Sequence, residues 1–313
     1  MGVWRVLLTD GLRKEGKDIL SAKAEIGERK GISADELLSE IGDYQAVIVR
    51  GRTKITKQVL EQAKNLKVIG RAGVGVDNID LKAAKEWNVT VVNAPVATTT
   101  SVAELAIGLI FSLAREIPRA DAHMKKGDWI KKQLVGMELK NKSLGIIGYG
   151  HIGASVGKLA ASIGMRINAY DAFLKPESTV VLGGQLLSFN EVINSSDFIT
   201  IHTPLTDETR NLINESVISN MKDGAFIINA ARGGIIDEMA LLNGLNSGKI
   251  GGAALDVYLK EPPTNQDLIN HPKVIATPHI AGQTTDGQAQ VAIDIATEVL
   301  IALGGGKLHW KVA

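Results

Sequence analysis

The sequence of 313 residues contains no cysteine. That absence excludes disulfide bonds, thiolate catalysis and thiolate metal ligands, and we expect no metal site. Aromatic residues make up only 4% of the chain, and the formal net charge is only +1. The chain therefore lacks the broad positive field of a protein that binds nucleic acid or an anionic membrane surface. An anionic ligand must be held by a local group of cations.

Long apolar runs are also missing. The longest, residues 102–114, is interrupted by Glu104 and is shorter than the roughly 20 residues that a membrane-spanning helix needs. The N-terminus reaches Asp10 after one short apolar run, without the apolar stretch of about 7–15 residues that marks a secretion signal. We therefore expect a cytoplasmic protein without a membrane segment.

Short apolar runs alternate with longer amphipathic segments, a pattern typical of βαβ units around a parallel sheet. The length fits two domains of about 100–200 residues each. A largely apolar helix predicted at 100–115 divides two groups of runs, and an apolar helix predicted at 289–303 follows the last run and is expected to return to the first domain. The predicted fold class is α/β, with strands at Trp4–Leu8, Ala46–Val49, 67–69, 89–92, 144–147, Arg166–Tyr170, Phe198–Ile201, 226–228, 253–255 and Val274–Ala276.

One apolar run, at 144–147, leads directly into a G-x-G-x-x-G motif, Gly148-Tyr-Gly150-His-Ile-Gly153, and a helix predicted at 154–163 follows. The first glycine permits a tight turn, the second lets backbone approach a pyrophosphate, and the third allows close packing of helix on strand. The helix N-terminus then offers unpaired N–H groups to phosphates. We define Gly148–Gly153 as the glycine loop, although a glycine-rich turn without a ligand remains an alternative.

An acidic residue, Asp171, ends the next predicted strand 18 residues after Gly153, where a carboxylate can accept hydrogen bonds from a ribose 2′-hydroxyl. A carboxylate also repels the 2′-phosphate of NADP, and no arginine follows it. The cofactor predicted is NAD. Lys175 keeps NADP open as an alternative. That Asp171 is an ordinary turn residue at the end of a strand, without a role in ribose binding, also stays open.

Three candidate catalytic residues follow predicted strands, where ligands bind in open α/β sheets. Arg232 suits a substrate carboxylate because its planar guanidinium donates two parallel hydrogen bonds. His279 suits a base whose ring is oriented by a carboxylate such as Glu261. His202 also follows a predicted strand and remains a rival base. Arg232 as a surface turn residue and Glu261 as a solvated loop acid also stay open.

At these residues the chain closely resembles the D-isomer-specific 2-hydroxy-acid dehydrogenase family, and within it the branch that oxidises 3-phosphoglycerate. The similarity covers nearly the whole chain. Its motifs are Gly70-Arg-Ala-Gly-Val-Gly-Val-Asp-Asn-Ile-Asp80, the glycine loop, His202-Thr-Pro-Leu-Thr206, Asn229-Ala-Ala-Arg232-Gly-Gly, Ala254-Leu-Asp256-Val, Glu261-Pro-Pro and Pro278-His279.

The resemblance implies roles for individual residues. Arg232 would hold the substrate carboxylate and carbonyl, His279 would be the acid/base with Glu261 as its partner, and the backbone at Val74 and Gly75 would bind the carboxylate. The NAD site would be lined by the glycine loop, with its residues His151 and Ile152, and by Asp171, His202, Thr203, Pro204, Ala230, Ala231, Asp256 and Gly282.

The resemblance also implies two Rossmann-like, doubly wound domains, with an NAD-binding domain at 95–284 inserted in a discontinuous substrate domain at 1–94 and 285–313. A homodimer through the NAD-binding domain is implied as well. Many relatives carry an additional C-terminal regulatory domain that senses serine. This sequence continues only about ten residues past Leu303, so that regulation is expected to be absent.

The anionic end of the substrate has candidate ligands in Arg50, Arg52 and Lys54. In an extended segment, alternate residues lie on one face, so all three cations would point together at a phosphate. A solvated strand end is the alternative. A glyoxylate, hydroxypyruvate, glycerate or D-lactate dehydrogenase would share the same catalytic residues, and a corepressor-like protein that only binds NAD is a further alternative.

Overall fold

The structure is a computed structural model and describes residues 3–175 and 180–313. These residues form two compact units. The first comprises the chain up to Thr99 together with Gln283–Ala313, and the second is Thr100–Gly282. The second unit thus begins five residues later and ends two residues earlier than the predicted inserted domain.

Strands and helices alternate through both units. The strands are β1 Trp4–Leu8, β2 Ala24–Glu28, β3 Ala46–Val49, β4 Val68–Arg71, β5 Thr90–Asn93, β6 Ser143–Ile147, β7 Arg166–Tyr170, β8 Gly184–Leu186, β9 Phe198–Ile201, β10 Ala225–Asn229, β11 Ile250–Leu255 and β12 Val274–Ala276. The helices are α1 Lys14–Ser21, α2 Ala34–Glu40, α3 Lys57–Gln62, α4 Leu81–Glu86, α5 Thr99–Ala114, α6 Ile117–Lys125, α7 His151–Ser162, α8 Phe189–Ser195, α9 Glu215–Asn220, α10 Glu238–Ser247, α11 Gln266–Ile269 and α12 Thr285–Leu303.

The first unit is built on a parallel sheet in the order β2-β1-β3-β4-β5. Helix α12 packs across this sheet, which confirms that the chain returns to its first domain after the insertion. Close packing depends on Gly70, because a Cβ there would lie 2.6 Å from Cγ2 of Val299. The apolar residues of α12 supply the buried side of this unit's core, including Val291, Ile295 and Val299.

The second unit contains a parallel sheet in the order β12-β11-β10-β9-β6-β7-β8. The chain starts in the middle at β6, builds outward to β8, then returns beside β6 with β9 and builds outward to β12. The point between β6 and β9, where the order reverses, is where an open α/β sheet binds its ligand. The two doubly wound parallel sheets, with the second inserted in the first unit, confirm the predicted fold class.

Two strands were not predicted, and two helices begin several residues earlier than predicted, α12 at Thr285 and not at residue 289. β2 and β8 were not predicted, because short edge strands with charged, polar or glycine residues lack an apolar run. Helix α7 begins at His151, three residues before the predicted start. His151 and Ile152 therefore lie in the first turn of a helix and not in the preceding turn of the backbone.

Candidate active site

The residues predicted to do chemistry in the second unit follow strands of its parallel sheet. Because those strands are parallel, their carboxyl ends meet at one edge. Asp171 follows β7, His202 follows β9, Arg232 follows β10 and Asp256 follows β11. His279 comes three residues after the end of β12. Chain segments distant in sequence are in this way brought to one edge.

The strongest geometric result concerns His279 and Glu261. Nδ1 of the imidazole lies 2.7 Å from Oε2 of the carboxylate, and both side chains are partly exposed. A carboxylate accepts a hydrogen bond at this distance, so Nδ1 carries the proton and Nε2 of the neutral ring is left to accept one. The second carboxylate oxygen accepts a hydrogen bond from the main-chain N–H of Tyr258 at 3.3 Å, which helps to fix Glu261.

The loop that carries His279 is fixed by hydrogen bonds to Asp256, whose side chain is fully buried. Its Oδ1 accepts hydrogen bonds from the hydroxyl of Thr277 at 2.6 Å and the N–H of Ile280 at 2.8 Å. Its Oδ2 accepts from the N–H of Ala281 at 2.8 Å. His279 itself has a φ of 53°, a left-handed conformation that is uncommon outside glycine. The bonds to Asp256 offset the cost of that conformation.

Tyr258 adds a second support for the same loop. Its hydroxyl lies 2.9 Å from both the carbonyl of Leu255 and that of Thr277, so it joins the end of β11 to the residue that follows β12. Burial, and next the negative charge of Asp256, raises the pKa of Tyr258 to about 12. The hydroxyl therefore stays protonated and remains a donor throughout the physiological range.

Arg232 lies in the turn after β10, where Asn229 organises the backbone. The Asn229 side chain accepts from the N–H of Ala231 and donates to the carbonyl of Arg232, both at 3.0 Å. The next residue must be small, because a Cβ on Gly233 would lie 1.8 Å from the main-chain oxygen of Tyr258. The turn carrying Arg232 is thus pressed directly against the loop that leads to Glu261.

The glycine loop fits a dinucleotide. Gly148 has a φ of 91°, and a Cβ there would lie 2.8 Å from the backbone of His202. A Cβ on Gly153 would lie 2.0 Å from the carbonyl oxygen of Gly148. A Cβ on Gly150, in contrast, would meet no atom within 4 Å, and its φ of −77° suits any residue. The protein itself does not require glycine at 150, so the open space there is suited to a ligand that approaches the backbone.

Asp171 is fixed at the end of β7 by two main-chain donors. The N–H of Tyr149 donates to Oδ2 and that of Phe173 donates to Oδ1, each at 2.9 Å. One lone pair of each oxygen remains available for a ribose hydroxyl. Lys175, which kept NADP open, lies at the end of the described segment that precedes residue 180.

His202, the rival base, has a different environment from His279. Its Nε2 is bonded to the hydroxyl of Thr200 at 2.9 Å, and burial lowers its pKa to about 4. A ring with that pKa is a poor proton acceptor at neutral pH. Its Nδ1 and the Oγ1 of Thr203 are buried without a hydrogen-bond partner among the described residues. The main chain of His202 and Cγ2 of Thr203 border Gly148, so both residues lie beside the glycine loop where a cofactor is expected to bind.

The other predicted cofactor residues lie at the same edge of the sheet. Ala230 is buried in a small apolar cluster with Val102 and Ala281, and Ile152 packs against it. Ala231 and Gly282 are half-buried, whereas His151 and Pro204 are exposed. Within residues 3–175 and 180–313, no group of three histidine or acidic side chains could hold a metal ion. In that same part of the chain, no helix is long and apolar enough to cross a membrane.

The predicted substrate cations in the first unit do not lie on an extended strand, which corrects the premise of the sequence interpretation. β3 ends at Val49 and the chain bends at residues 51–53, so the alternation of an extended strand does not apply to Arg50, Arg52 and Lys54. The Arg50 guanidinium contacts Oε1 of Gln288, whereas Arg52 forms an ion pair with Asp10 at 2.9 Å.

Val74 and Gly75 lie in the loop after β4, at the carboxyl edge of the first sheet. Asn93, the last residue of β5, donates from its side-chain amide to the carbonyl of Val74 at 2.7 Å. In the part of the chain that the structure describes, the N–H groups of Val74 and Gly75 have no hydrogen-bond partner. Two such neighbouring donors suit the carboxylate predicted to bind there.

Sequence reasoning missed four residues that organise these edges, namely Asp10, Asn78, Tyr258 and Thr277. Thr277 comes directly after an apolar run and Asp10 two residues after one, so the rule applied to Asp171 would have found them. Asn78 and Tyr258 act through main-chain carbonyls that, apart from the Leu255 carbonyl, belong to residues distant in sequence. No spacing in the sequence indicates such contacts.

Comparisons with known proteins agree with this geometry. A family model described as "D-isomer specific 2-hydroxyacid dehydrogenase, NAD binding domain" matches residues 107–281. The chain is 44% identical over 308 residues to hydroxypyruvate reductase of Thermotoga maritima, covering 97% of this chain and 100% of the relative. It is 45% identical over 302 residues to D-3-phosphoglycerate dehydrogenase of Methanocaldococcus jannaschii, covering 96% of this chain and 58% of the relative. A glyoxylate reductase from Paecilomyes thermophila has a similar structure, with a TM-score of 0.91, 30% identity and coverage of 100% and 99%.

The chain spans little more than half of the curated D-3-phosphoglycerate dehydrogenases that it matches, but the full length of the hydroxypyruvate reductase. Both the family model and the full-length relative support the same assignment. The glycine loop, the open backbone at Gly150 and the fixed Asp171 are consistent with it. The protein belongs to the D-isomer-specific 2-hydroxyacid dehydrogenase family, and its second unit carries that family's NAD-binding domain.

Proposed function

We propose that this chain oxidises D-3-phosphoglycerate to 3-phosphohydroxypyruvate, the first step of serine biosynthesis, with His279 and Glu261 as its acid–base pair. The observation that carries the proposal is the 2.7 Å contact between the two side chains. A protein that only binds NAD has no need of an imidazole held in this way. Because hydride transfer is reversible, the same pair serves both directions.

The chemistry assigned to the histidine follows from its hydrogen bond. NAD, when bound, accepts the hydride from C2 of the hydroxy acid. Nε2 of His279 takes the proton of the C2 hydroxyl, and the C–O bond becomes a carbonyl as the C–H electron pair leaves. Glu261 stabilises the imidazolium that forms, since an adjacent carboxylate favours the charged ring. In the reverse direction the imidazolium returns its proton to the carbonyl oxygen.

Arg232 is assigned to the substrate carboxylate and to the C2 oxygen. Its guanidinium is always charged and can donate two parallel hydrogen bonds. The main-chain N–H groups of Val74 and Gly75 are assigned to the same carboxylate. By holding the carboxylate and the C2 oxygen, the guanidinium would orient C2 for hydride transfer.

NAD is assigned to the carboxyl edge of the second sheet. Asp171 would accept hydrogen bonds from the adenosine ribose, and the backbone at Gly150, His151 and Ile152 would hold the pyrophosphate. The remaining assigned contacts are Gly148, Gly153, His202, Thr203, Pro204, Ala230, Ala231, Asp256 and Gly282. The open space at Gly150 and the unpartnered atoms of His202 and Thr203 support this placement.

A phosphorylated substrate is assigned because of Arg50, with Lys54, which lines a cavity together with Arg52, as a second cation. Arg50 contacts the neutral side chain of Gln288, so that contact does not neutralise its charge. Lys54 is exposed. Arg52 contributes less than the sequence suggested, because Asp10 compensates its charge.

Reduction of hydroxypyruvate is the second candidate function. It is favoured by the relative from Thermotoga maritima, which matches over its whole length. NADH fluorescence with a panel of 2-hydroxy and 2-oxo acids separates the two. The first proposal expects 3-phosphoglycerate to exceed glycerate in kcat/KM by about a hundredfold or more, and an Arg50→Ala variant to lose most of that preference. Equal values for the two acids would favour the second candidate.

A homodimer through the second unit is also proposed. No residue of α6 is buried, and large apolar side chains around this helix are exposed, including Ile117 (50%), Met124 (56%), Trp129 (77%) and Val135 (82%). Apolar surface of this kind is typical of subunit interfaces. We expect light scattering to give twice the chain mass for the wild type, and a Trp129→Glu/Val135→Glu variant to become monomeric. A monomeric wild type would rule the dimer out.

A further inference from the structure

We propose that Asp10 is a positioning residue for substrate selection, which fixes the loop of residues 50–54 and pairs with Arg52 so that selectivity depends on Arg50. The inference deepens the function proposed above and rests on it. Asp10 was not among the predicted site residues. Its role follows from contacts at the carboxyl end of the first sheet, where β1 and β3 lie side by side.

The Asp10 side chain is only 6% exposed and bonds to the loop at several points. Oδ2 accepts from the N–H of Arg50 at 2.7 Å and from that of Thr53 at 3.2 Å. Oδ1 accepts from the hydroxyl of Thr53 at 2.8 Å and lies 2.9 Å from the Arg52 guanidinium. One buried carboxylate therefore binds the first, third and fourth residues of the loop.

Asn78 holds the loop from its other side. Its side-chain amide donates to the carbonyl of Arg50 at 2.8 Å and to that of Thr53 at 2.6 Å. Both the N–H and the C=O of Arg50 are thus bonded to side chains from outside the loop. This fixes the main chain from which the Arg50 side chain extends.

The guanidinium of Arg52 is held by several contacts around the loop of residues 50–54. Besides Asp10, its guanidinium donates to the carbonyls of Ile32 at 2.9 Å and Thr9 at 3.0 Å. With Lys54 it lines a cavity of about 370 Å³ beside α2 and α3. Arg50 instead contacts Gln288 on α12. The two arginines therefore differ in their surroundings. Arg52 is paired with the carboxylate of Asp10, whereas Arg50 contacts a neutral amide.

The test measures selectivity, defined as kcat/KM for 3-phosphoglycerate divided by kcat/KM for glycerate. Asp10→Asn keeps the size of the side chain but removes its charge. We expect selectivity to fall about tenfold through KM, while kcat and the NAD Kd stay near wild type. Asn78→Ala should change selectivity in the same direction. Asp18→Asn, which removes an exposed carboxylate paired with Lys14 in the same unit, is the matched control and should change nothing.

A double-mutant cycle with Arg50→Ala shows whether Asp10 acts through Arg50. If it does, Asp10→Asn causes little further loss of selectivity in the Arg50→Ala background. Full additivity would overturn the inference. So would an Arg52→Ala variant that loses as much selectivity as Arg50→Ala while its loop remains intact.

Limited trypsin digestion reports on the loop without any assay of activity. Trypsin cuts after arginine and lysine, so loosening of residues 50–54 should speed cleavage there about tenfold in Asp10→Asn, relative to cleavage elsewhere in the same unit. Unchanged cleavage would overturn the positioning role. If the wild type shows no preference for 3-phosphoglycerate but Asp10→Asn is cut faster, the proposed substrate fails while the control of the loop by Asp10 stands.

Discussion

The main-chain N–H of His279 donates to the main-chain carbonyl of Asp256 over 2.9 Å. The Asp256 carboxylate bonds to residues on both sides of this histidine. Asp256 therefore fixes the main chain around His279 and, through it, the position of the imidazole ring. The resemblance implied a role for Asp256 in binding the cofactor. The structure adds a role in fixing the loop that carries His279.

Asp256→Asn should damage turnover more than cofactor binding. An amide cannot accept hydrogen bonds at both of its positions, so the loop carrying His279 loses at least one anchor. We expect kcat to fall about a hundredfold while the NADH Kd changes less than about fivefold. Asp237→Asn, which caps α10 through two main-chain bonds, is the control for loss of a carboxylate. Loss of NADH binding with unchanged turnover at saturation would assign Asp256 to the cofactor alone.

Two glycines of the same motif should respond in opposite ways to alanine. Gly150→Ala places a methyl group in open space, so we expect an unchanged melting temperature but a rise of at least about tenfold in the NADH Kd. Gly153→Ala forces a Cβ against the carbonyl oxygen of Gly148, and we expect the free energy of unfolding to fall by about 3 kcal/mol. Calorimetry and NADH fluorescence measure the two effects. Normal NADH binding by Gly150→Ala would remove the pyrophosphate from this position.

Protonation of His202 should weaken the cofactor-free protein in acid. Its pKa is about 4 when folded and ~6.5 in an unfolded chain, so between these values the unfolded state binds the extra proton. Stability therefore falls as pH falls, and this residue removes about 2 kcal/mol between pH ~7.5 and ~5. Urea unfolding of His202→Asn should show a correspondingly smaller loss over that interval. An identical loss in both proteins would contradict the burial of His202.

The C-terminal segment should depend on one buried carboxylate. Glu298 on α12 is 2% exposed and accepts bonds from the N–H and Nδ1 of His309 and the N–H of Trp310, at 2.8–3.1 Å. The residues that follow pair with β5 through Val92 and Lys311. We expect Glu298→Ala to cost about 3 kcal/mol in unfolding free energy, and His309→Ala about 1, because the main-chain bonds remain. Equal costs would show that only the contact between the two side chains matters.

Much of the fold could be predicted because buried parallel strands are apolar runs. Trp4–Leu8, Ala46–Val49 and Phe198–Ile201 were placed with their observed bounds. β2 was missed because an edge strand that reads Ala-Glu-Ile-Gly-Glu has no such run. The glycine loop could be predicted because its requirements are local. A Cβ would clash with the main chain at Gly148 and Gly153, and Gly150 leaves open space beside the backbone.

The site was less predictable from the residues alone, since contacts between distant segments decide it. Spacing left His202 and His279 as rivals, and only the structure places Glu261 against one of them and apolar burial around the other. The three cations were interpreted as an extended strand, but β3 ends one residue before Arg50. Asp10 then separates Arg52 from Arg50, which no pattern in the loop itself could indicate.

Single-turnover hydride transfer in variants of the acid–base pair tests the central claim most directly. NADH formation is measured with the 2-hydroxy acid that the wild type oxidises fastest, and NADH binding is measured separately by fluorescence. We predict a loss of about a thousandfold for His279→Gln and about a hundredfold for Glu261→Gln, with the NADH Kd within about twofold of wild type. A His279→Gln enzyme that transfers hydride at the wild-type rate would contradict the account.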